Sequence, residues 1–552
     1  MKTNKLFNAK FFYPSLLTLF WIFICIIINF TGNFPLGDDW AYAKPVEEFL
    51  RTGRMHITDW SSMTLVGHIW WGALFTKIFG FSFDVLRIST LTMALSAILA
   101  TYCIIRRLTT HSFYGFLGAV IFMISPHFIR YSFSFCTDVT FLGFAFWGIY
   151  FLLSFVEEEK LYQYALGVLL IMYSFLIRDV AIVVPPAFAL AYGLKNKFRF
   201  DKLAAVLIIN LLVAAEYFAY RYWLTNIHGM TGMMDFSKNV LFSIWASGPL
   251  QIMMRYGKNF FYSISFFGLC LSPILFFMIS NTLKSSRKFS RLSFWSVCIA
   301  GSLAIIIVLA MQGAKAVYFR EFLFDLMFMH SLFSNVHTIS QDLIWIPSVG
   351  VIAALSLIAF NAGVIFLWII LSVNKKLYSQ EKKRPWDSIF LTVIALFYLL
   401  IIMSQNLFNR YLLIILPITI GLILFLNIKV IKSKFNKGLL IITIGIWGIY
   451  SIIQTHDLLS YERAHWRGLD YLTNELKISP KEIDGGFEFN AWHLYDFHYK
   501  KKPGKNWWWV EDDKYVVSHG VIPGYRVIKT FDYSLWLPPG RRTHAVVLKR
   551  AD

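Results

Sequence analysis

Apolar residues gather along this chain into unbroken stretches of about 20, parted by short charged segments. Stretches of that length cross a hydrocarbon core of about 30 Å as helices. Lipid offers no partner to an unpaired backbone group, so helices are the only option at this length. A β-barrel is excluded because the runs do not alternate apolar with polar. The predicted spans are Phe11–Thr31, Ser82–Ile105, Ser112–Phe128, Cys136–Phe155, Leu203–Leu224, Phe260–Ile279, Leu292–Gln312, Ile346–Val373, Ile389–Ser404, Tyr411–Leu426 and Leu439–Thr455. A longer stretch, Leu161–Leu194, is interrupted by Arg178-Asp179 and divides there into two short helices. The sum is about 13 spans.

The segments between spans set the expected orientation. Alternate loops are basic: Arg106-Arg107, Lys195–Lys202, Lys284–Arg291, Lys375–Arg384 and Lys429–Lys437. Basic loops stay in the cytoplasm, which places the N-terminus there and the C-terminal tail outside. The outer loops are long. The first, residues 32–81, carries amphipathic segments at Trp40–Leu50 and Leu65–Phe79. These read as short interfacial helices, with Trp60, Trp70 and Trp71 as aromatic anchors. Two further outer loops are Thr225–Asn259 and Gly313–Trp345. From His456 the chain turns polar, with β-like runs at Lys514–Val517, Tyr525–Phe531 and His544–Leu548 and a helix over Glu462–Leu476. The expected division is a polytopic α-helical membrane domain, residues 1–455, and a small α/β extracytoplasmic domain, residues 456–552.

Composition agrees. Of 552 residues, 57% are hydrophobic and only 15% charged, against roughly 25% charge in soluble chains. The net charge of +20 sits in the inter-span clusters, with no basic stripe of the kind that binds nucleic acid. Cys25, Cys103, Cys136, Cys270 and Cys298 form no C-x-x-C pair and read as buried thiols. The first apolar run is too long for a signal-peptide core and reads as a retained helix.

Against that background, charged residues near span ends carry the chemical information. The sharpest feature is Gly37-Asp38-Asp39-Trp40-Ala41-Tyr42, at the outer end of the first span. Adjacent acids are costly beside hydrocarbon. Either they open a solvated loop, or one removes a proton from an acceptor or holds a cation. Another acid, Asp138, closes the run Tyr131-Ser132-Phe133-Ser134-Phe135-Cys136-Thr137-Asp138, just after His127 and Arg130. Loop alternation puts Asp38, Asp39 and Asp138 on one face. For Asp138 the alternatives are a functional carboxylate and an ion pair with Arg130 that holds the loop. Arg178 lies between two apolar half-helices, and Arg410 opens Asn409-Arg410-Tyr411. Three arginines meeting in one cavity suit a phosphate, because a guanidinium offers forked donors and keeps its charge. Taken singly, each arginine is also read as snorkelling to headgroups.

The acid pair after the first span, the Ser-Phe-Cys-Thr-Asp run, the Arg-Tyr start of a late span and the outer tail together resemble the GT-C membrane glycosyltransferases. The resemblance is to the branch of dolichyl-phosphate-mannose protein mannosyltransferases and bacterial aminoarabinose lipid A transferases (glycosyltransferase family 39-like). The tail run Gly485-Gly486-Phe487-Glu488-Phe489-Asn490-Ala491-Trp492 is similar to tails of bacterial members. The resemblance implies a hexosyl- or pentosyltransferase that takes its sugar from a polyprenyl-phosphate donor. It implies an envelope glycolipid, glycan or protein as acceptor, in a bacterial inner membrane. Asp38 would act on the acceptor, with Asp39 beside it and Asp138 as the second acid. Arg130, Arg178, Arg410 and Tyr411 would hold the donor phosphate, and Tyr42, His68, Glu488, Asn490 and Trp492 would line the substrates. Two departures stand out. Relatives often carry an arginine where this chain has Ala41, and a Lys-Pro-Pro segment where it has Ser61-Ser62-Met63-Thr64-Leu65 followed by Gly67-His68.

The expected chemistry is inverting transfer, with Asp38 as base and arginines stabilising the leaving phosphate. No cofactor is required; a divalent cation on the paired carboxylates is the open alternative. A lipid-linked glycan transporter or flippase would use the same charges as relay or substrate contacts. An outer-leaflet glycan polymerase or ligase, and a scaffold or receptor binding a partner through Trp507-Trp508-Trp509, are the other rivals.

Overall fold

The computed structural model describes residues 3–275, 363, 385–405, 407–426, 434–500, 508–537 and 542–551. Helix α1 (Thr3–Ile28) leads into a first outer loop with two helices, α2 (Asp39–Thr52) and α3 (Val66–Phe79). Then follow α4 (Phe83–Thr109), α5 (Ser112–Met123), α6 (Pro126–Ser132), α7 (Thr137–Glu158), α8 (Leu161–Ile177), α9 (Val184–Lys195) and α10 (Phe200–Trp223). A second long loop holds α11 (Gly232–Ala246) and leads into α12 (Pro249–Cys270). Later in the chain come α13 (Pro385–Met403), α14 (Ile415–Leu426), α15 (Lys434–Asp470) and, in the tail, α16 (Gly486–Leu494).

Among the described residues six helices are long and apolar enough to cross a bilayer, or seven if α5 and α6 form one bent span. Their outer faces are apolar. Leu19, Phe23 and Ile26 on α1, and Ile441, Ile446 and Ile449 on α15, are mostly exposed. Apolar surface on that scale belongs against lipid, and the chain is a multi-pass membrane protein. The expected total of about 13 spans is not reproduced over these residues. The predicted spans Leu292–Gln312 and Ile346–Val373, the last residues of Phe260–Ile279 and the loop Gly313–Trp345 lie outside them.

Three breaks in helices shape the site. The expected span Ser112–Phe128 bends by 68° between α5 and α6. Pro126 fills the first turn of α6, and a proline ring drives the residue before it out of the helical region. The break at Arg178-Asp179 falls where expected: Arg178 is extended, with φ −146° and ψ 128°. A 3₁₀ turn, Asp179–Val183, then leads into the Pro185-Pro186 start of α9. A second 3₁₀ turn, Asn409–Ile414, precedes α14. Elsewhere the helices pack tightly. A Cβ at Gly148 of α7 would stand 2.7 Å from the Ile171 side chain of α8, so only glycine permits that approach.

Arg87 on α4 pins the outer end of this bundle. It is 1% exposed and donates to the carbonyls of Phe30 (2.6 Å), Gly32 (3.0 Å), Phe34 (3.0 Å) and Phe133 (2.8 Å). Its charge pairs with Asp84 at 3.2 Å. One guanidinium thus fixes the end of α1, the start of the first loop and the connector from α6 to α7.

The tail is joined to the membrane domain without a linker. The predicted helices Leu439–Thr455 and Glu462–Leu476 are parts of one helix, α15, which crosses residues 455 and 456 unbroken. Its last turns pack on a four-stranded sheet in the order β1 (Ile483–Asp484), β2 (Tyr515–Ser518), β4 (Arg542–Arg550), β3 (Tyr525–Ser534). The first pair is parallel and the others antiparallel, with a bulge at Val527. All three expected strand runs are present. Leu469, Leu472, Ile483, Phe489, Val517 and Val547 form the core between helix and sheet. The tail then docks on the first loop. Trp466 stacks on Phe34 with centroids 6.1 Å apart, Arg463 donates to the carbonyl of Asn29 at 2.8 Å, and Trp492 packs edge-on against Phe83.

Replacing Arg87 by methionine keeps the side-chain length, removes its bonds to the buried carbonyls of Phe34 and Phe133 and to that of Phe30, and unpairs Asp84. The expected cost is about 3–5 kcal/mol. It should appear as a lower unfolding temperature and a lower folded yield of the detergent-solubilised protein; an unchanged transition would contradict the role given to Arg87.

Candidate functional site

The site grows from a tight turn after α1. Gly37 has φ 58°, a left-handed conformation open to glycine at little cost. The turn aims Asp38 and Asp39 in different directions. Asp38 stands at the start of α2, yet its side chain does not cap the helix. Instead Oδ1 accepts a bond from the indole N–H of Trp60 at 2.9 Å. Oδ2 accepts from both terminal nitrogens of Arg410 at 3.3 Å.

Arg410 comes from the 3₁₀ turn before α14. It also faces Asp138, with 3.9 Å between Nε and Oδ2. Asp138 sits in the first turn of α7, where the helix dipole favours an anion. Its other oxygen accepts from Arg178, which ends α8, where the dipole favours a cation. The four side chains form an alternating series, Asp38, Arg410, Asp138, Arg178. The pairing of Asp138 with Arg130, the alternative drawn from sequence spacing, gives way to pairing with Arg178 and Arg410. Arg410 Nε and Asp138 Oδ2 are both buried and make no hydrogen bond. One donor and one acceptor therefore face each other slightly too far apart to bond.

Cavities lie on both sides of this series. The smaller, about 230 Å³, is lined by Gly37, Asp38, Arg130, Tyr131, Arg410, Glu462 and Glu488 among others. The larger, about 600 Å³, is lined by Ser62, Thr64, Arg178, Tyr217, Arg221, Met233, Lys238, Tyr398 and Tyr411 among others. The second outer loop covers the larger cavity and is tied to the first. Thr231 donates to the Ser61 carbonyl at 2.7 Å, and Met233 to that of Asp59 at 2.9 Å. The Tyr411 ring lies 5.0 Å from the Arg178 guanidinium, a cation–π contact.

The remaining expected residues divide by position. Asp39 turns away from both cavities and is 1% exposed. It accepts from the Ser134 hydroxyl at 2.7 Å and from the Leu36 amide at 3.2 Å, which staples the first loop to the α6–α7 connector. Burial pushes its carboxyl up to about 6, against the pull of these hydrogen bonds. Glu488 reaches the smaller cavity from the tail and accepts from the Gly37 amide at 3.0 Å. Burial raises its carboxyl above the usual range. Tyr42 is buried edge-on against His68. His68 stacks on Phe135 at 4.0 Å with a ring nitrogen 3.1 Å from the Phe135 carbonyl. Asn490 is fully buried and braces the turn at Asp484 and Gly485. Trp492 docks the tail. Tyr42, His68, Asn490 and Trp492 are absent from the lining of both cavities; their contacts hold the scaffold.

Sequence reasoning missed Trp60, Tyr131 and Glu462. Trp60, expected as an interfacial anchor, belongs to the site. It is enclosed by Trp40, Phe487, Tyr495, Trp508 and Trp509, with centroids 5.7–6.2 Å away. Most of that cluster comes from the tail, more than 400 residues later, so no local signal marked it. Trp70, by contrast, is 43% exposed, as an anchor should be. Among the described residues no three His, Cys, Asp or Glu side chains cluster as a metal site.

Residues 66–223 match the model of the family described as dolichyl-phosphate-mannose-protein mannosyltransferase. The match covers the segment from α3 to α10. No curated protein matches the chain significantly. Among solved structures the chain is similar to ArnT from Cupriavidus metallidurans bound to undecaprenyl phosphate, at 11% identity and TM-score 0.40, covering 98% of each chain. The apo state of the same protein gives 13% identity and TM-score 0.35, over 97% of this chain and 98% of that one. The arabinosyltransferase EmbB from Mycobacterium smegmatis gives 11% identity and TM-score 0.32, over 81% of this chain and 42% of that one.

Asp39 allows a test by pH. An acid whose value is raised on folding binds its proton more tightly folded than unfolded, so ionising it costs stability. That cost grows as pH rises from the ordinary aspartate range near 4 to about 6. Asp39→Asn should therefore gain unfolding temperature relative to the parent protein across that window. A difference that does not change with pH would contradict the buried, proton-holding Asp39.

Proposed function

We propose that this chain transfers a sugar from a polyprenyl-phosphate donor to an envelope acceptor on the non-cytoplasmic side of the membrane, with inversion at the anomeric carbon. The family match over residues 66–223 supports a glycosyltransferase of this kind. The observation that carries the reading is the Asp38–Arg410–Asp138–Arg178 series, with Asp38 and Arg410 on the wall of one cavity and Arg178 on that of the other. A simple structural ion pair would fill both partners. Here Arg410 Nε and Asp138 Oδ2 make no hydrogen bond.

The steps follow from the charges. Donor phosphate competes with Asp38 for Arg410, because a singly charged phosphodiester still offers two strong acceptor oxygens to one guanidinium. Engaging the phosphate loosens Arg410 from Asp38 and frees Oδ2 as a base. The acceptor hydroxyl or amine then gives its proton to Asp38 as its oxygen or nitrogen bonds to the anomeric carbon. The bond from that carbon to the phosphate oxygen breaks, and polyprenyl phosphate leaves with the electron pair. Charge on the sugar is oxocarbenium-like at the crossing point. Arg410 and Arg178 meet the negative charge that grows on the leaving oxygen. Asp138 holds both arginines in place and keeps the cluster neutral. Arg130, on the wall of the smaller cavity, and Tyr411, on that of the larger, are further contacts. A phosphate leaves without full protonation, so no strong general acid is needed. A divalent cation between the carboxylates and the donor phosphate remains the second form of this proposal, tested by chelation.

The polyprenyl tail explains why such chemistry sits in a membrane: it needs an apolar path to a site at the interface. The long second outer loop over the larger cavity, with Met230, Met233 and Met234, offers pliable apolar side chains.

Asp38→Asn should lower kcat by about 10²–10⁴-fold, the usual contribution of a general base. Arg410→Ala should lower it by about 10²–10³-fold through lost charge stabilisation. The assay is release of undecaprenyl phosphate from a panel of undecaprenyl-phosphate sugars, using purified full-length protein in nanodiscs with envelope lipid extract as acceptor. Full activity in both variants, at normal expression, would sink the proposal.

A further inference from the structure

We propose that Trp60 is a positioning residue for Asp38, and that the C-terminal domain acts on the reaction by gripping Trp60. The inference rests on the reading of Asp38 as the base. The two oxygens of Asp38 have different partners. Oδ2 is held by Arg410, the group that a donor phosphate would draw away. Oδ1 is held by the Trp60 indole N–H at 2.9 Å. When Arg410 turns to phosphate, this single bond keeps the carboxylate from rotating, so Oδ2 stays aimed at the incoming acceptor. An indole N–H suits the task because it donates only and cannot take the proton that Asp38 removes.

The indole is itself held from the tail. Of the five rings around Trp60, only Trp40 belongs to the first loop; Phe487, Tyr495, Trp508 and Trp509 belong to the tail. Phe487 also lines the smaller cavity. The next residue, Glu488, accepts from the amide of Gly37, directly before Asp38. The tail therefore fixes the base twice, by its backbone through Glu488 and by its side chain through Trp60.

Trp60→Phe keeps an aromatic ring in the box and deletes the N–H. The expected result, in the undecaprenyl-phosphate release assay, is a fall in kcat of about 10- to 100-fold, the range for a hydrogen bond to a charged group. KM for the donor should stay within about two-fold, since uniform binding is untouched. A purely structural loss would lower the amount of folded protein and leave kcat per folded molecule in place. Trp508→Ala, which opens the box at its partly exposed edge, should lower kcat about two- to five-fold with KM held, and serves if Trp60→Phe fails to accumulate. An unchanged kcat in either folded variant, with Asp38→Asn inactive, would overturn the positioning role alone. A fully active Asp38→Asn would overturn the assigned base and this inference with it.

Discussion

Four charges in an alternating series, Asp138 and Arg178 buried and Asp38 and Arg410 half-buried, are the constraint around which this end of the molecule is arranged. Leaving one member of a buried pair without its partner costs about 3–5 kcal/mol. Asp38, Arg410, Asp138 and Arg178 must therefore arrive together, from four places far apart in the chain. Each arrives where a helix starts or stops: the turn before α2, the 3₁₀ turn before α14, the first turn of α7 and the end of α8. A side chain inside an unbroken helix would stay on its own cylinder. At a break, the residue can point across the bundle and the dipole of the adjoining helix supports its charge. These four helix ends are thus the means by which a bundle of apolar helices brings charged groups together.

Around this series the structure separates side chains that hold the loops from side chains that face a cavity. Arg87, Asp39 and Asn490 are buried, spend their polar atoms on backbone or neighbouring side chains, and fix the loops. Asp38, Arg130, Arg410 and Glu488 face a cavity. The two adjacent acids make the contrast plain: Gly37 turns the chain so that Asp39 faces the scaffold and Asp38 the cavity. The tail belongs to both groups. Its connection through the continuous helix α15 leaves little freedom between the domains, and its aromatic residues close over the acid-bearing turn.

Much of this was legible in the sequence, and for definite reasons. Apolar length marks spans because hydrocarbon thickness is fixed, so α1, α4, α7, α10 and α13 were expected within a few residues. Alternating β-branched and aromatic runs marked β2, β3 and β4. Intramembrane charges are costly, which singled out Asp38, Asp138, Arg178 and Arg410. What could not be read was partnership. Nothing in the spacing told whether Asp138 pairs with Arg130, eight residues away, or with Arg178 and Arg410. Trp60 read as an anchor because its aromatic neighbours lie in the tail. The unbroken α15 was divided in two because its composition changes near His456 while its backbone does not.

The central claim is that Asp38 and its charged neighbours consume a lipid-linked sugar. It is tested most directly by mass spectrometry of envelope lipids and glycans from cells in which Asp38→Asn replaces the native chain at normal abundance. The account predicts accumulation of one polyprenyl-phosphate sugar together with loss of that sugar from an envelope component. Unchanged donor and acceptor pools would contradict it.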